Sequence, residues 1–377
     1  MALSIFSFFS GSGLLDLGFE QNDLNYNIVL VNEFNKVFLD AYASVRSEHN
    51  KNDPIYGYHC CDINDFLNTN LRIELQEYLQ EQKELNNIVG FIGGPPCPDF
   101  SVGGKNKGRE GLNGVLARSY IDLIISQLPD FFLFENVRGL VRTAKHRLYF
   151  NELKESLTEA GYIISTKVIN SLSYGVPQDR DRVIMVGILN NADNPNVPVT
   201  DDGELEFPWY RYSLYDADFV KSLNWPTEQI YREKSRRKFK YAVPEQLTVQ
   251  HWFERNNVRR HPNAKDVFNV KEGRGKMLEI KEGDTSGKSF KRLHRWKYSP
   301  TAAYGNNEVH LHPYETRRLS VSEVMAIQSL PPSFVLPKNM PKTHKFKTVG
   351  NGVPYLMSLA IAKSIQDLIH DIFYRGE

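Results

Sequence analysis

Ser4-Ile5-Phe6-Ser7-Phe8-Phe9-Ser10-Gly11-Ser12-Gly13-Leu14 lies near the start of the chain, and its reading decides the fold. The apolar residues from Ser4 to Phe9 predict a buried strand. They break at a glycine-bearing turn, and the residues after Gly13 predict a helix. Glycines at such a turn let the backbone bend tightly and come close to a ligand. The run from Ala2 to Phe9 is not read as a secretory signal, because no basic segment precedes it and Asp16 and Glu20 follow soon after.

Working outward, short apolar runs alternate with amphipathic stretches. Ile28–Val31 predicts a second strand, followed by a helix near Asn35–Ser44. Ile88–Ile92 predicts a strand that ends in Gly93-Gly94-Pro95-Pro96-Cys97. Tyr120–Leu128 reads as helix, and Phe131–Phe134 as a strand running into Glu135-Asn136-Val137. Tyr149–Ala160 is amphipathic and closes at Gly161, and Val183–Ile188 is a late strand. Strands alternating with helices define an α/β fold with a mostly parallel sheet covered on both faces. Ligands of such sheets bind beyond the carboxyl ends of the strands.

The pattern changes near Leu189. Asn190–Val199 is rich in Asn, Asp and Pro and reads as a linker. From Tyr231 to Pro300 the periodicity is weak, and nineteen Lys and Arg face eight Asp and Glu. That local balance of +11 sits in a chain whose net charge is +1, so the remainder carries −10. A basic segment in a near-neutral protein points to a polyanion partner. Trp225, Trp252 and Trp296 lie in or beside it and are read mainly as core of a second, smaller domain. From Arg317 a compact pattern returns: a helix over Ser320–Ser329 with Ser320 and Glu323 spaced as a capping box, and a long helix over Pro354–Ile372. The catalytic domain is therefore expected over 1–189 and 317–377, with 190–316 between them.

Composition narrows the class. At 377 residues, with 41% hydrophobic and 24% charged residues, the chain is an ordinary globular one. Three cysteines, Cys60, Cys61 and Cys97, make no disulfide framework and show no structural zinc spacing, so no metal site and a reducing, cytoplasmic setting are expected. No apolar run is long enough for a membrane span.

Three further stretches bear chemistry. In Gly93-Gly94-Pro95-Pro96-Cys97-Pro98-Asp99-Phe100-Ser101 the prolines have fixed φ and lack N–H groups, so a stiff loop presents one thiol at the sheet edge. A nucleophilic thiol needs thiolate character, which nearby cations supply. Glu135 ends another strand and faces the same crevice. In Gln178-Asp179-Arg180-Asp181-Arg182 an extended backbone puts Arg180 and Arg182 on one face, where they suit a carboxylate, a phosphate or a thiolate. Glu33, at the end of the second strand, is placed to bind ribose hydroxyls, and Asp62 to accept from an exocyclic amine. Together the acids and the glycine turn describe a nucleoside cofactor.

The ordered set FSGSG, GGPPCPDFS, ENV, QDRDR and GNGVP resembles the DNA cytosine-5 methyltransferases of bacterial restriction-modification systems. The likeness runs from Ser4 to about Gly187 and from Arg317 to about Ile365; the residues between fall in that family's variable target-recognition region. The resemblance implies an S-adenosylmethionine-dependent, Rossmann-like methyltransferase domain with a smaller DNA-recognition domain. It makes Cys97 the nucleophile that attacks cytosine C6, Glu135 the group that holds and protonates N3, and Arg180 and Arg182 the arginines of the reactive pocket. It assigns cofactor binding to Phe9, Gly11, Ser12, Gly13 and Leu14 in the loop. Glu33 and Phe34, Asp62 and Ile63, Pro96, and Asn351 and Val353 of the C-terminal motif complete that set. It implies a base flipped out of double-stranded DNA, a monomer associated with the nucleoid through DNA, and a cognate restriction endonuclease that need not bind physically. Leu14 stands where many members have a second glycine, Pro98 where glutamine is common, and Cys60-Cys61-Asp62 lacks the usual glycine before the acid. Three rivals remain: an RNA cytosine-5 methyltransferase, whose tRNA-acting branch carries a Cys-Phe-Thr signature absent here; a catalytically silent DNA-binding regulator; and a nicotinamide dehydrogenase, suggested only by the glycine turn.

Overall fold

Strand β1 (Leu3–Phe8) is buried along its whole length and is an inner strand of a seven-stranded sheet. In this computed structural model the described residues are 2–21, 23–96, 112–191, 196–269, 273–301 and 309–373. β1 is flanked by β2 (Tyr26–Asn32) and β4 (Ile88–Gly93), both parallel to it. A short β3 (Tyr58–His59) extends the sheet beyond β2. On the other side β5 (Phe131–Val137) runs parallel to β4. Two strands complete the sheet, β6 (Tyr162–Asn170) and β7 (Asp181–Leu189), in the order β3-β2-β1-β4-β5-β7-β6. β7 is antiparallel to both β5 and β6. It therefore begins at the edge where the other six strands end, and this brings Arg182 level with Val137.

The central strands are fully buried because helices cover both faces, and this is why they read as apolar runs rather than alternating ones. On one face Leu39 and Tyr42 of the helix Lys36–Glu48 and Met357, Ile361 and Ile365 of the final helix Tyr355–Phe373 pack on Leu3, Ile5 and Ile28. On the other, Leu75 and Leu79, Tyr120 and Ile124, and Leu153 and Leu157 pack on Phe6, Phe91 and Phe132. These come from the helices Leu71–Glu84, Leu112–Gln127 and Ala144–Glu159.

Several expected boundaries hold. Asn35 caps its helix by accepting from the Val37 N–H, Gly161 has φ +97° just past the helix Ala144–Glu159, and Ser320 and Glu323 form the capping box of Val321–Ile327. Others differ. The helix after Gly13 is one turn, Asp16–Phe19, closed where the Glu20 N–H returns to the Asp16 carbonyl. β6 is a strand that sequence reading left out, because Ser165, Thr166 and Lys167 interrupt its apolar run.

The stretch after Leu189 lies against the sheet domain. Val197, Leu205 and Phe207 share a core with the final helix, and the Trp209 indole N–H donates to Ser165 Oγ at 3.0 Å. Val249, Trp252, Phe253, Val258 and Leu293 share another with Phe38, Ala41 and Val45 and with residues of 319–349. Val220, Trp225, Val243 and Leu247 form a smaller cluster with Leu172. Trp225, Trp252 and Trp296 are all buried. No helix among the described residues is long and apolar enough to cross a membrane.

Candidate active site

The site forms along the edge where β1 to β5 end and β7 begins. Beyond β1 the chain turns through Phe9 (φ +53°), Gly11 (φ +57°) and Gly13 (φ +82°). Gly13 is needed twice over: its φ is left-handed, and a Cβ there would lie 2.8 Å from the Tyr42 ring. Beneath the turn the Tyr42 hydroxyl donates to the buried Asp16 carboxylate at 2.7 Å. Burial pushes the Asp16 carboxyl upward, with the Tyr42 bond opposing it. Neither residue was singled out as functional in the sequence, since neither belongs to a chemical motif.

Glu33 links the ends of β1 and β2. Its carboxylate accepts from the Gly11 N–H at 2.9 Å and from the Asn35 N–H at 2.8 Å. Burial raises its pKa, and these two bonds pull it back. Phe34, next to it, is 72% exposed, unusual for a phenylalanine inside an α/β domain. Asp62 accepts from the backbone and side-chain nitrogens of Asn64 through one oxygen, Ile63 is buried below, and Phe9 packs edge-on against Tyr120. The buried Ser10 hydroxyl has no hydrogen-bond partner among the described residues. Two carboxylates, an exposed aromatic ring and a glycine turn on one edge fit an adenosine: acceptors for ribose and amine, and a face for the ring.

Cys97, the expected nucleophile, lies outside the described residues, as do 98–111; its approach, through Pro96, is described. Cys60 is exposed and half-buried Cys61 is pushed up to about 11 by burial, which keeps it a neutral thiol.

The carboxyl partner is well defined. Glu135 is 7% exposed, and Arg182 Nε lies 2.7 Å from its Oε1. Burial raises its pKa; the charges of Arg182 and then Arg180 oppose that rise without cancelling it. Removing one member of such a buried pair costs roughly 3–5 kcal/mol, so Arg182 and Glu135 hold each other in place. The two glycines before the Pro-Pro-Cys loop leave room for what lies beside them. A Cβ on Gly93 would lie 2.7 Å from the Tyr120 ring, and one on Gly94 would lie 2.7 Å from Glu135 Oε2. The Asn136 side chain reaches the Pro95 carbonyl at 3.4 Å, joining the ENV strand end to that loop.

Arg180 is placed differently from Arg182. It is 1% exposed and donates to the carbonyls of Gly350 at 2.8 Å, Gly352 at 3.0 Å and Asn351 at 3.4 Å. Gln178 donates to Gln328 Oε1 at 2.9 Å, and Gln328 donates to the Val349 carbonyl at 2.5 Å. The QDRDR segment thus carries the C-terminal motif. That motif in turn meets the glycine turn: Thr348 Oγ1 lies 2.9 Å from Ser12 Oγ, and Leu14 packs where a Cβ on Gly352 would lie 2.4 Å from its Cδ2. Leu14, in place of a family glycine, is thus a buried packing residue over Gly352, and Val353 is buried beside it while Asn351 is exposed. Thr348 and Gln328 lie outside any recognisable motif, so sequence reading missed them.

The model of the C-5 cytosine-specific DNA methylase family matches residues 3–367. The chain belongs to this family. It is 49% identical over 372 residues to the type II methyltransferase M.NmeDI of Neisseria meningitidis serogroup C, covering 98% of this chain and 85% of that protein. It is 28% identical to M.FnuDI of Fusobacterium nucleatum, covering 98% and 96%. Among solved structures, a prophage-encoded DNA modification methyltransferase from E. coli superposes with a TM-score of 0.65 at 20% identity, covering 98% of this chain and all of that one. The S. pombe Dnmt2 methyltransferase gives 0.60 at 12% identity, covering 99% and all of it. These two likenesses show the fold. Family membership makes the chain a DNA cytosine-5 methyltransferase and implies S-adenosylmethionine as methyl donor and DNA as substrate.

Gly94→Ala should displace the Glu135 carboxylate while leaving the fold intact. Methyl transfer to DNA is expected to fall at least tenfold, and the thermal midpoint to fall as the buried Glu135–Arg182 pair is strained; unchanged activity would show that Gly94 does not set the position of Glu135.

Proposed function

We propose that the chain methylates C5 of a cytosine flipped out of a specific sequence in double-stranded DNA, using Cys97 and Glu135. The buried Glu135–Arg182 pair at the end of β5, one strand from the Pro-Pro-Cys loop, is the observation that carries this reading. Cytosine C5 is a poor nucleophile. Addition of the Cys97 thiolate to C6, with Glu135 donating to N3, makes C5 electron-rich. S-adenosylmethionine, when bound, supplies the sulfonium methyl that C5 accepts. Loss of the C5 proton then expels the Cys97 thiolate and restores the ring.

Each residue has a share in this. Glu135 must reach N3 as the protonated acid, and burial favours that form. Arg182 fixes its orientation, and Arg180 fixes the C-terminal motif. The Phe9–Leu14 turn, Glu33 with Phe34, Asp62 with Ile63, Pro96, Asn351 and Val353 form the cofactor pocket. Leu14 contributes from the core side, and Glu33 retains lone pairs beyond those given to Gly11 and Asn35. The catalytic unit comprises 1–189 and 317–377. The segment 190–316 recognises DNA, supported by its charge of +11 between Tyr231 and Pro300. The chain acts as a monomer in the bacterial cytoplasm, without a metal ion and without needing its restriction partner.

Incubation with tritiated S-adenosylmethionine and separate DNA and tRNA pools should label DNA; label confined to tRNA would reject the reading in favour of the RNA-directed rival. The pH profile gives a second test. A raised carboxyl pKa keeps Glu135 protonated above the usual carboxylate range, and kcat should decline as pH rises through that pKa. Glu135→Gln, which donates without titrating, should lower kcat by about 10²–10⁴-fold and abolish that limb. Persistence of the limb in the variant would assign it to another group.

A further inference from the structure

The chain from Ser235 to Tyr241 has no regular secondary structure, yet its side chains alternate strictly. Ser235, Arg237, Phe239 and Tyr241 turn inward and are partly covered, whereas Arg236, Lys238 and Lys240 are exposed. The inward set is anchored. Arg295, itself buried, donates to the Ser235 carbonyl at 2.7 Å and to its hydroxyl at 2.8 Å. Both oxygens of the buried Glu282 hold that guanidinium, at 2.7 and 2.9 Å. Arg237 donates to the Ile230 carbonyl at 3.1 Å. Phe239 packs edge-on against Trp296 with ring centres 5.3 Å apart, and the Tyr241 hydroxyl accepts from Gln229 at 2.7 Å. Just upstream, the Lys234 N–H (φ +54°) donates to the Tyr314 carbonyl at 2.7 Å.

The outward set is wholly cationic. Among the described residues, none of Arg236, Lys238 and Lys240 has an ion-pair partner. The one acid in the neighbouring turn, Glu233, is engaged by Thr316 at 2.9 Å. Ordinary solvated lysines come with acids interspersed; here every outward position in the run carries a positive charge.

From these observations we infer that Ser235–Tyr241 is a pre-formed strap that lies along the phosphates of one DNA strand, with Arg236, Lys238 and Lys240 each meeting a phosphate. The inference rests on the DNA-methylating reading above and assigns which part of the basic segment grips the backbone. Alternate residues of an extended chain stand roughly 6.5–7 Å apart, on the scale of neighbouring phosphates in a strand. Lysines bind phosphate as point charges, so the strap contributes affinity and register, while base reading falls to other residues. Its anchors leave little to be ordered on binding, which lowers the entropic cost. Its position also fits. Phe239 rests on Trp296, and three residues on, Ser299 pairs with the catalytic segment: the Ser299 N–H donates to the Pro177 carbonyl and the Asp179 N–H to the Ser299 carbonyl, both at 2.8 Å. The strap is thus braced from the same edge that holds Arg180 and Arg182.

The test compares the full-length triple variant R236Q/K238Q/K240Q with the control K83Q/K154Q/K363Q. The control lysines pair with Asp130, Glu204 and Asp23 at the amino-terminal ends of the strands, opposite the site. Affinity for a short labelled duplex is measured by anisotropy from about 50 to 200 mM salt. The strap variant should bind about tenfold to a hundredfold more weakly near 0.1 M salt, with a log–log salt slope shallower by roughly 2.7, about 0.9 per phosphate contact. Its kcat at saturating DNA should stay within about twofold of wild type. The charge-preserving R236K/K238R/K240R should bind as wild type does, which separates lost charge from lost fold. Equal effects in strap and control variants, or an unchanged slope in the strap variant, would overturn the strap while leaving the methyltransferase reading intact. Binding by the strap to anionic vesicles but not to duplex would likewise overturn it. Failure of the wild type to bind or methylate any duplex would instead strike the reading beneath it.

Discussion

A buried guanidinium holds the two ends of this chain together. Arg180, just before β7, donates to the carbonyls of Gly350, Asn351 and Gly352. These lie near residue 350, while the turn they support begins at residue 9. Backbone carbonyls at a helix end have lost their intrahelical donors, and a charged donor in a dry setting satisfies them strongly. Once the motif is fixed, Thr348 meets Ser12, and Leu14 settles over Gly352. The glycine turn is therefore linked to Arg180 through the C-terminal motif.

The same short segment performs a second task with opposite logic. Arg182, two residues on, balances the Glu135 carboxylate. Burial pushes the carboxyl towards its neutral form, and the arginine charges restrain it. This balance suits the proton-donating role proposed for Glu135. A full ion pair in water would favour the charged acid, and an unpaired buried acid would cost too much to keep. The antiparallel β7 makes the arrangement possible, since only a strand running the other way begins where β5 ends.

How far this was legible in the sequence follows from the physics of each element. β1, β4 and β5 are covered on both faces, so they are plain apolar runs and were read as strands. β6, broken by Ser165, Thr166 and Lys167, was not. The motifs named candidate residues but not the contacts each makes: an extended backbone puts Arg180 and Arg182 on one face, and only packing sends one to three carbonyls and the other to a carboxylate. Gln328 and Thr348 carry no motif, and their roles arise from contacts across the whole chain length. The strap at 235–241 appeared in sequence only as excess charge, because its alternation is set by anchors at 282, 295 and 296.

The central claim, that one thiol attacks the ring beside a proton-donating Glu135, is tested most directly by covalent capture. DNA carrying 5-fluorocytosine cannot lose a proton from C5, so the adduct formed after methyl transfer has no exit. The account predicts that the wild-type protein, incubated with this DNA and S-adenosylmethionine, forms a denaturation-resistant complex whose cross-linked peptide contains Cys97, and that Cys97→Ser forms none. A complex formed by the serine variant, or a cross-link mapped to Cys60 or Cys61, would contradict it.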